Sequence, residues 1–147
     1  MSLRNRIQDD IKTAMRGKQR ERLAILRMLS AAIKQKEVDE RVELDEAAIT
    51  AVVEKMVKQR RESIRQYRDG GRDDLADREA AEITILEEYL PEPLAEEELD
   101  KLIDSAVSES GAESMKDMGK VMGLLKPRIQ GRADMGDVSK RIKARLA

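Results

Sequence analysis

Lys58, Arg61, Arg65, Arg68 and Arg72 recur every three or four residues, a spacing that lines five cations along one face of a helix. A second group crowds the C-terminal stretch: Lys116, Lys120, Lys126, Arg128, Arg132, Lys140, Arg141, Lys143 and Arg145, opposed there only by Asp117, Asp134 and Asp137. Such side chains hold phosphates through charge-assisted hydrogen bonds. Covalent and acid–base chemistry has far less to draw on. The chain has no Cys and no His, which removes thiolate nucleophiles, imidazole bases, disulfides and the commonest zinc ligands together. The acidic groups Glu87/Glu88 and Glu96–Glu98 have no defined partners for proton transfer and read as solvated helix termini. The expectation is a binding protein with no catalytic site, no metal and no cofactor.

Each cationic group has a bland reading beside the functional one. The ladder from Lys58 to Arg72 is either a phosphate-tracking stripe or a solvated face paired with an acidic helix across the Gly70-Gly71 turn. In the tail, Lys120, Lys126, Arg128, Arg132, Lys140, Arg141 and Lys143 are the candidates for contact with an anionic partner. The alternative there is solubilising charge, with the last-turn cations also favoured by the helix dipole. Gly119 and Gly123, four apart in an otherwise helical stretch, each cost about 1 kcal/mol relative to Ala. Close approach of another helix, or of a partner's backbone, would offset that cost, and internal packing is the expected cause. Gly119-Lys120 is not a Walker motif, because the spacing and the preceding strand are missing.

The elements that must position these residues read as helices throughout. Leu3, Ile7, Ile11 and Met15 form one apolar series, with Ser2 as N-cap and Gly17 as stop. A second helix covers about 18–39 with Leu23, Leu26, Leu29 and Ile33. Asp45 caps a third, whose seam is Ile49, Val52, Val53, Met56, Val57, Ile64 and Tyr67, ending at Gly70-Gly71. The fourth carries Leu75, Ala76, Ala80, Ile83, Leu86 and Leu90. Pro91-Glu92-Pro93 then disfavours helix and marks a junction. Beyond it, Leu99, Leu102, Ile103 and Val107 form a fifth helix ending near Gly111. Ser114-Met115-Lys116-Asp117 resembles a capping box for a sixth, which Pro127 kinks or closes and Gly131 ends. Asp134 caps a seventh, with Val138, Ile142 and Leu146.

The expected fold is therefore all-α: an N-terminal helical bundle over residues 1–90 and a C-terminal three-helix bundle over 94–147. Charge is segregated along the chain, with net +6 over residues 1–72, −13 over 73–113 and +6 over 114–147. A polyanion would be drawn to either basic end and repelled by the middle. No apolar run is long enough to span a membrane, and the first 30 residues are too charged for a secretory signal, so the expected location is cytoplasmic with no membrane partner. Tyr67 and Tyr89 are the only aromatics. Two tyrosines cannot build a base-stacking platform, so an RNA partner would be read through folded shape and backbone.

The segment Met118-Gly119-Lys120-Val121-Met122-Gly123, followed by Gly131-Arg132-Ala133-Asp134 and a short basic helix, resembles the signature of the GatB/YqeY family. Arg27-Met28-Leu29, Lys58-Gln59-Arg60-Arg61-Glu62-Ser63 and Glu87-Glu88-Tyr89-Leu90-Pro91 resemble its free-standing members. The likeness covers essentially the whole chain. It implies a helical N-terminal unit joined to a three-helix C-terminal unit. The same module forms the tail of the B subunit of tRNA-dependent amidotransferases, where it contacts the folded body of tRNA. Carried onto this sequence, the resemblance implicates Gly119, Lys120, Lys126, Arg128, Gly131 and Arg132. Nothing in the chain corresponds to the large catalytic portion of that subunit, so its activity is not expected here.

The expected function is a non-catalytic, tRNA-binding accessory module. Two alternatives stand beside it. One is an adaptor that docks on an amidotransferase or an aminoacyl-tRNA synthetase through the acidic middle segment. The other is an amidotransferase component, a carbon–nitrogen ligase with glutamine as amido donor.

Overall fold

The computed structural model describes residues 2–147 and contains seven α-helices with no strand among the described residues. The chain divides into two compact units, one up to Leu90 and one from Pro91 to Ala147.

The first unit holds α1 (Leu3–Arg16), α2 (Arg20–Glu40), α3 (Glu46–Asp69) and α4 (Asp73–Glu87). Helix starts follow local chemistry: the Ser2 hydroxyl accepts from the Asn5 amide at 3.2 Å, and Asp45 Oδ1 accepts from Ala48 at 2.8 Å. α3 and α4 make a hairpin across Gly70-Gly71-Arg72, with Gly71 at φ +74°, where glycine carries no Cβ penalty. The core is aliphatic, with Leu26, Leu29, Ile49, Val53 and Leu86 fully enclosed.

Met15 does not join this core; it is 52% exposed, and Ala14 is fully buried instead. At 3.6 residues per turn, a strict four-residue spacing drifts by about 40° per step. Met15 has therefore rotated well away from Ile7, whereas Ala14, seven positions on, returns to it.

Besides the pairing of Arg4 with Glu37, two polar clusters tie the first unit together. Arg60, only 8% exposed, sits within the expected apolar seam of α3. Its Nε reaches Glu82 at 2.9 Å and Glu79 at 3.8 Å, and its Nη1 donates to the Met56 carbonyl at 3.3 Å. Burial, reinforced by the neighbouring Glu82 charge, raises the pKa of Glu79. The turn after α4 is fastened to α1 and α2. Tyr89 is buried and donates its hydroxyl to Asp10, Arg6 lies 4.9 Å over its ring, and Arg22 pairs with Glu88 at 2.6 Å. Burial, then the bond to Asp10, pushes the tyrosine hydroxyl well above its ordinary pKa.

The second unit packs α5 (Glu96–Ser110), α6 (Met118–Ile129) and α7 (Met135–Leu146) around Ile103, Val121, Leu125, Ile129, Val138 and Ile142. Gly111 closes α5 at φ +67°. The capping box expected at Ser114 does not form. Residues Met115–Asp117 make a 3₁₀ turn, the Ser114 side chain caps nothing, and the Asp117 carboxylate accepts from the Glu113 amide at 3.1 Å. Its bond thus falls one residue further back than a capping box requires.

Candidate nucleic-acid interface

Within the second unit, Glu96, Asp100 and Asp104 of α5 face α7. Glu96, Glu97 and Glu98 occupy the first turn of α5, where the helix dipole favours negative charge. Asp100 and Asp104 follow at i+4 spacing and lie alongside the basic end of α7. Arg141 reaches Asp100 at 2.9 Å, Asp137 at 3.0 Å and Glu96 at 3.4 Å. Arg145 bonds Asp104 and reaches Asp100 at 3.2 Å. Hydrogen bonds from Arg141, then Arg145, hold the Asp100 carboxyl below its ordinary pKa; those to Asp137 and Asp100 raise that of Arg141. Arg128, at the end of α6, is held by Glu109 at 2.8 Å.

Arg132 also has an internal role. Its Nε donates to the Glu92 carbonyl at 2.9 Å, and its own carbonyl accepts from Leu94 at 2.9 Å. It therefore clamps the segment of chain entering the unit onto the turn after α6. That turn passes through Gly131 at φ +78°, a left-handed conformation that explains glycine at this position.

These contacts divide the candidate cations. The expectation that the C-terminal cations stay unneutralised is corrected for Arg128 and Arg141, together with Arg145, which are paired with carboxylates inside the unit. Arg132 is held only through its Nε by the neutral Glu92 carbonyl and keeps its charge without an ion pair among the described residues. Lys126, Lys140 and Lys143, with Lys116, are exposed and have no ion pair among the described residues. Lys120 meets Asp117 only at 3.8 Å with 71% of its side chain exposed. The split follows side-chain chemistry. A guanidinium presents a planar fork of donors that satisfies several carboxylate oxygens at once, whereas an ammonium is a strongly hydrated point charge that loses more on leaving water.

Internal packing does not explain Gly119 and Gly123. Both are exposed, and a Cβ built on either meets nothing within 4 Å. Lys126, three residues beyond Gly123, continues the same face, and Lys120 flanks it. Val121, Leu125 and Ile129 occupy the opposite, buried side of α6. Pro127 lies inside the helix and brings no N–H to the carbonyl four residues earlier, which belongs to Gly123. The face thus combines a side-chain-free backbone, a carbonyl deprived of its usual helical donor, and flanking ammonium groups.

The α3 ladder behaves differently. Arg61 pairs with Glu87 at 3.4 Å, Arg68 with Asp77 at 3.3 Å and Asp73 at 3.6 Å, and Arg72 with Asp74 at 3.2 Å. All four acids belong to α4. Lys58 and Arg65 alone in the ladder have no ion pair among the described residues.

A family model described as "Yqey-like protein" matches residues 4–146. The chain belongs to the YqeY-like family. Among curated relatives, it is similar to "Altered inheritance of mitochondria protein 41, mitochondrial" of Pyrenophora tritici-repentis, with 33% identity over 141 residues, covering 94% of this chain and 77% of that protein. The protein of the same name from Lachancea thermotolerans is 36% identical over 106 residues, covering 70% and 57%. The one from Eremothecium gossypii is 40% identical over 95 residues, covering 62% and 52%. The chain thus spans about three quarters of the first relative and little more than half of the other two.

These names overturn the cytoplasmic location expected from the sequence, since the relatives are named as mitochondrial proteins. No helix among the described residues is long and apolar enough to cross a membrane. That bears on insertion into a bilayer and does not discriminate between aqueous compartments.

Proposed function

We propose that this YqeY-like protein is a non-catalytic RNA-binding module whose second unit meets the backbone of a folded RNA, of the size and shape of tRNA, along the outer face of α6. The observation that carries the reading is the open glycine face. Two helix glycines with no neighbour within 4 Å sacrifice helix stability without internal compensation, and they lie beside lysines that no acid holds closely. A sugar–phosphate backbone can approach such a surface closely, with Lys120 and Lys126 on its phosphates and the Gly123 carbonyl accepting from a ribose 2′-hydroxyl. The family likeness supports the same ligand class.

A salt titration of tRNA binding tests it. Affinity should fall linearly in log K against log salt, and Lys120→Ala with Lys126→Ala should flatten the slope by about 0.7–0.9 for each phosphate that is no longer neutralised. A slope near zero, or no binding at low salt, contradicts the reading. A protein partner, such as an amidotransferase or a synthetase, would instead remain attached after nuclease treatment.

A further inference from the structure

We infer that the corner between α1 and α2, carrying Lys12, Arg16, Lys18 and Arg20, is a second RNA-backbone contact on the first unit. This rests on the RNA reading of α6 for the class of ligand and on its own geometry for the site. The four cations fall within nine residues that contain no acid. All are exposed, and none has an ion pair among the described residues. Elsewhere in the unit, Arg4, Arg22, Arg60, Arg61, Arg68 and Arg72 are each held by a carboxylate. Arg27, Lys34, Arg41 and Lys55 are also exposed without an ion pair among the described residues, but they are spread over residues 27–55 and form no such cluster in the sequence.

The corner is also fixed in shape. Gly17 donates to the Thr13 carbonyl at 2.9 Å, Lys18 to Met15 at 3.3 Å, Gln19 to Ala14 at 3.0 Å and Arg20 to Lys18 at 3.1 Å. Two placements within it work against stability. Lys18 adopts a left-handed conformation at φ +54°, while the adjacent Gly17, which could adopt it freely, sits at φ −82°. Arg20 occupies the first position of α2, the positive end of the helix dipole, where no side chain caps the turn. Arg16, in the last turn of α1, sits where the dipole favours a cation, but the left-handed Lys18 and the first-turn Arg20 are held at a cost that a bound anion would offset.

The chemistry of the surface favours a polyanion read by phosphates. Met15 is the one large exposed apolar side chain at the corner among the described residues, too little to anchor in a bilayer. The α6 face calls for the same phosphate backbone, so an RNA is the occupant the observations favour over an anionic membrane.

The test is a lysine-acetylation footprint of the full chain with and without tRNA at low salt, read residue by residue. Lys12 and Lys18 should lose reactivity several-fold on tRNA addition. Lys18→Gly should raise the thermal midpoint and flatten the salt slope by about 0.7–0.9, the value for one phosphate contact. Protection of Lys120 and Lys126 with none at Lys12 and Lys18 overturns the corner and leaves the α6 reading standing. Protection at the corner alone supports the corner and removes α6. Protection at neither set overturns both. Phosphatidylserine vesicles that shield Lys12 and Lys18 where tRNA does not overturn the inference in favour of a membrane.

Discussion

The seam between α5 and α7 and the outer face of α6 belong to one small unit, are both rich in cations, and have opposite fates. At the seam, Arg141 and Arg145 are taken up by Glu96, Asp100, Asp104 and Asp137. On the face, Lys120 and Lys126 have no close acid and flank glycines with open space above them. Cation counts along the chain do not distinguish the two regions. What separates them is whether the fold brings a carboxylate within reach, and whether the backbone is left bare.

The most severe way to break the contrast is to remove the wall that supports both regions. Leu125→Ala empties a fully buried position on the inner side of α6. It should cost about 2–5 kcal/mol, against a total of only roughly 3–9 kcal/mol for a unit this small. Urea denaturation should show the second unit's transition shifted to much lower denaturant or abolished, with RNA binding abolished alongside it.

A gentler change separates the regions. Arg141→Gln with Arg145→Gln should lower the thermal midpoint of the second unit, because both arginines bridge α7 to α5, while the salt slope of RNA binding stays at its original value. A slope that drops with these two would mean that the seam arginines also serve the ligand. The smallest effect is in pH. The Asp100 carboxyl is held below its unfolded pKa, so its stabilisation is complete above the ordinary carboxylate range and disappears as pH falls through the lowered native value. Thermal midpoints should therefore not respond to Asp100 between about pH 8 and 5. The midpoint should fall more steeply below about pH 4, and Asp100→Asn should remove that part of the acid sensitivity. RNA affinity should stay flat from about pH 8 to 6, since the chain has no His.

Much of the fold is legible in the sequence because its signals are local. Ser2 and Asp45 cap the helices they precede, Gly70-Gly71 and Gly111 end theirs, and Val138, Ile142 and Leu146 are buried at their expected spacing. The exceptions are also physical. Met15 leaves the apolar stripe because a four-residue spacing drifts around the helix. Arg60 is hidden because a charged residue in an apolar seam becomes legible only once Glu79 and Glu82 are known to meet it.

The candidate site is legible in residue type and not in commitment. Nothing in the local spacing of Arg128, Arg132 and Arg141 says that Glu109, the Glu92 carbonyl and Asp100 will claim them, because those partners come from 19 to 41 positions away. The glycines stand out in the sequence for their cost to a helix. That they face open space rather than a neighbouring helix depends on the packing of α5 and α7 on the other side. Two of the family-like segments in the first unit likewise have structural roles: Lys58–Ser63 contains the buried Arg60, and Glu87–Pro91 contains the Tyr89 anchor.

The most direct measurement is Gly123→Ala, with stability and tRNA affinity determined on the same preparation. A methyl group there has free space, so the helix should gain about 1 kcal/mol. Yet RNA binding should weaken by roughly tenfold, on the order of the 1–3 kcal/mol that an extra methyl costs in a close-packed contact. A more stable protein that binds less tightly is the predicted result. Equal or tighter binding by the stabilised variant would contradict the glycine face as the place where RNA is met.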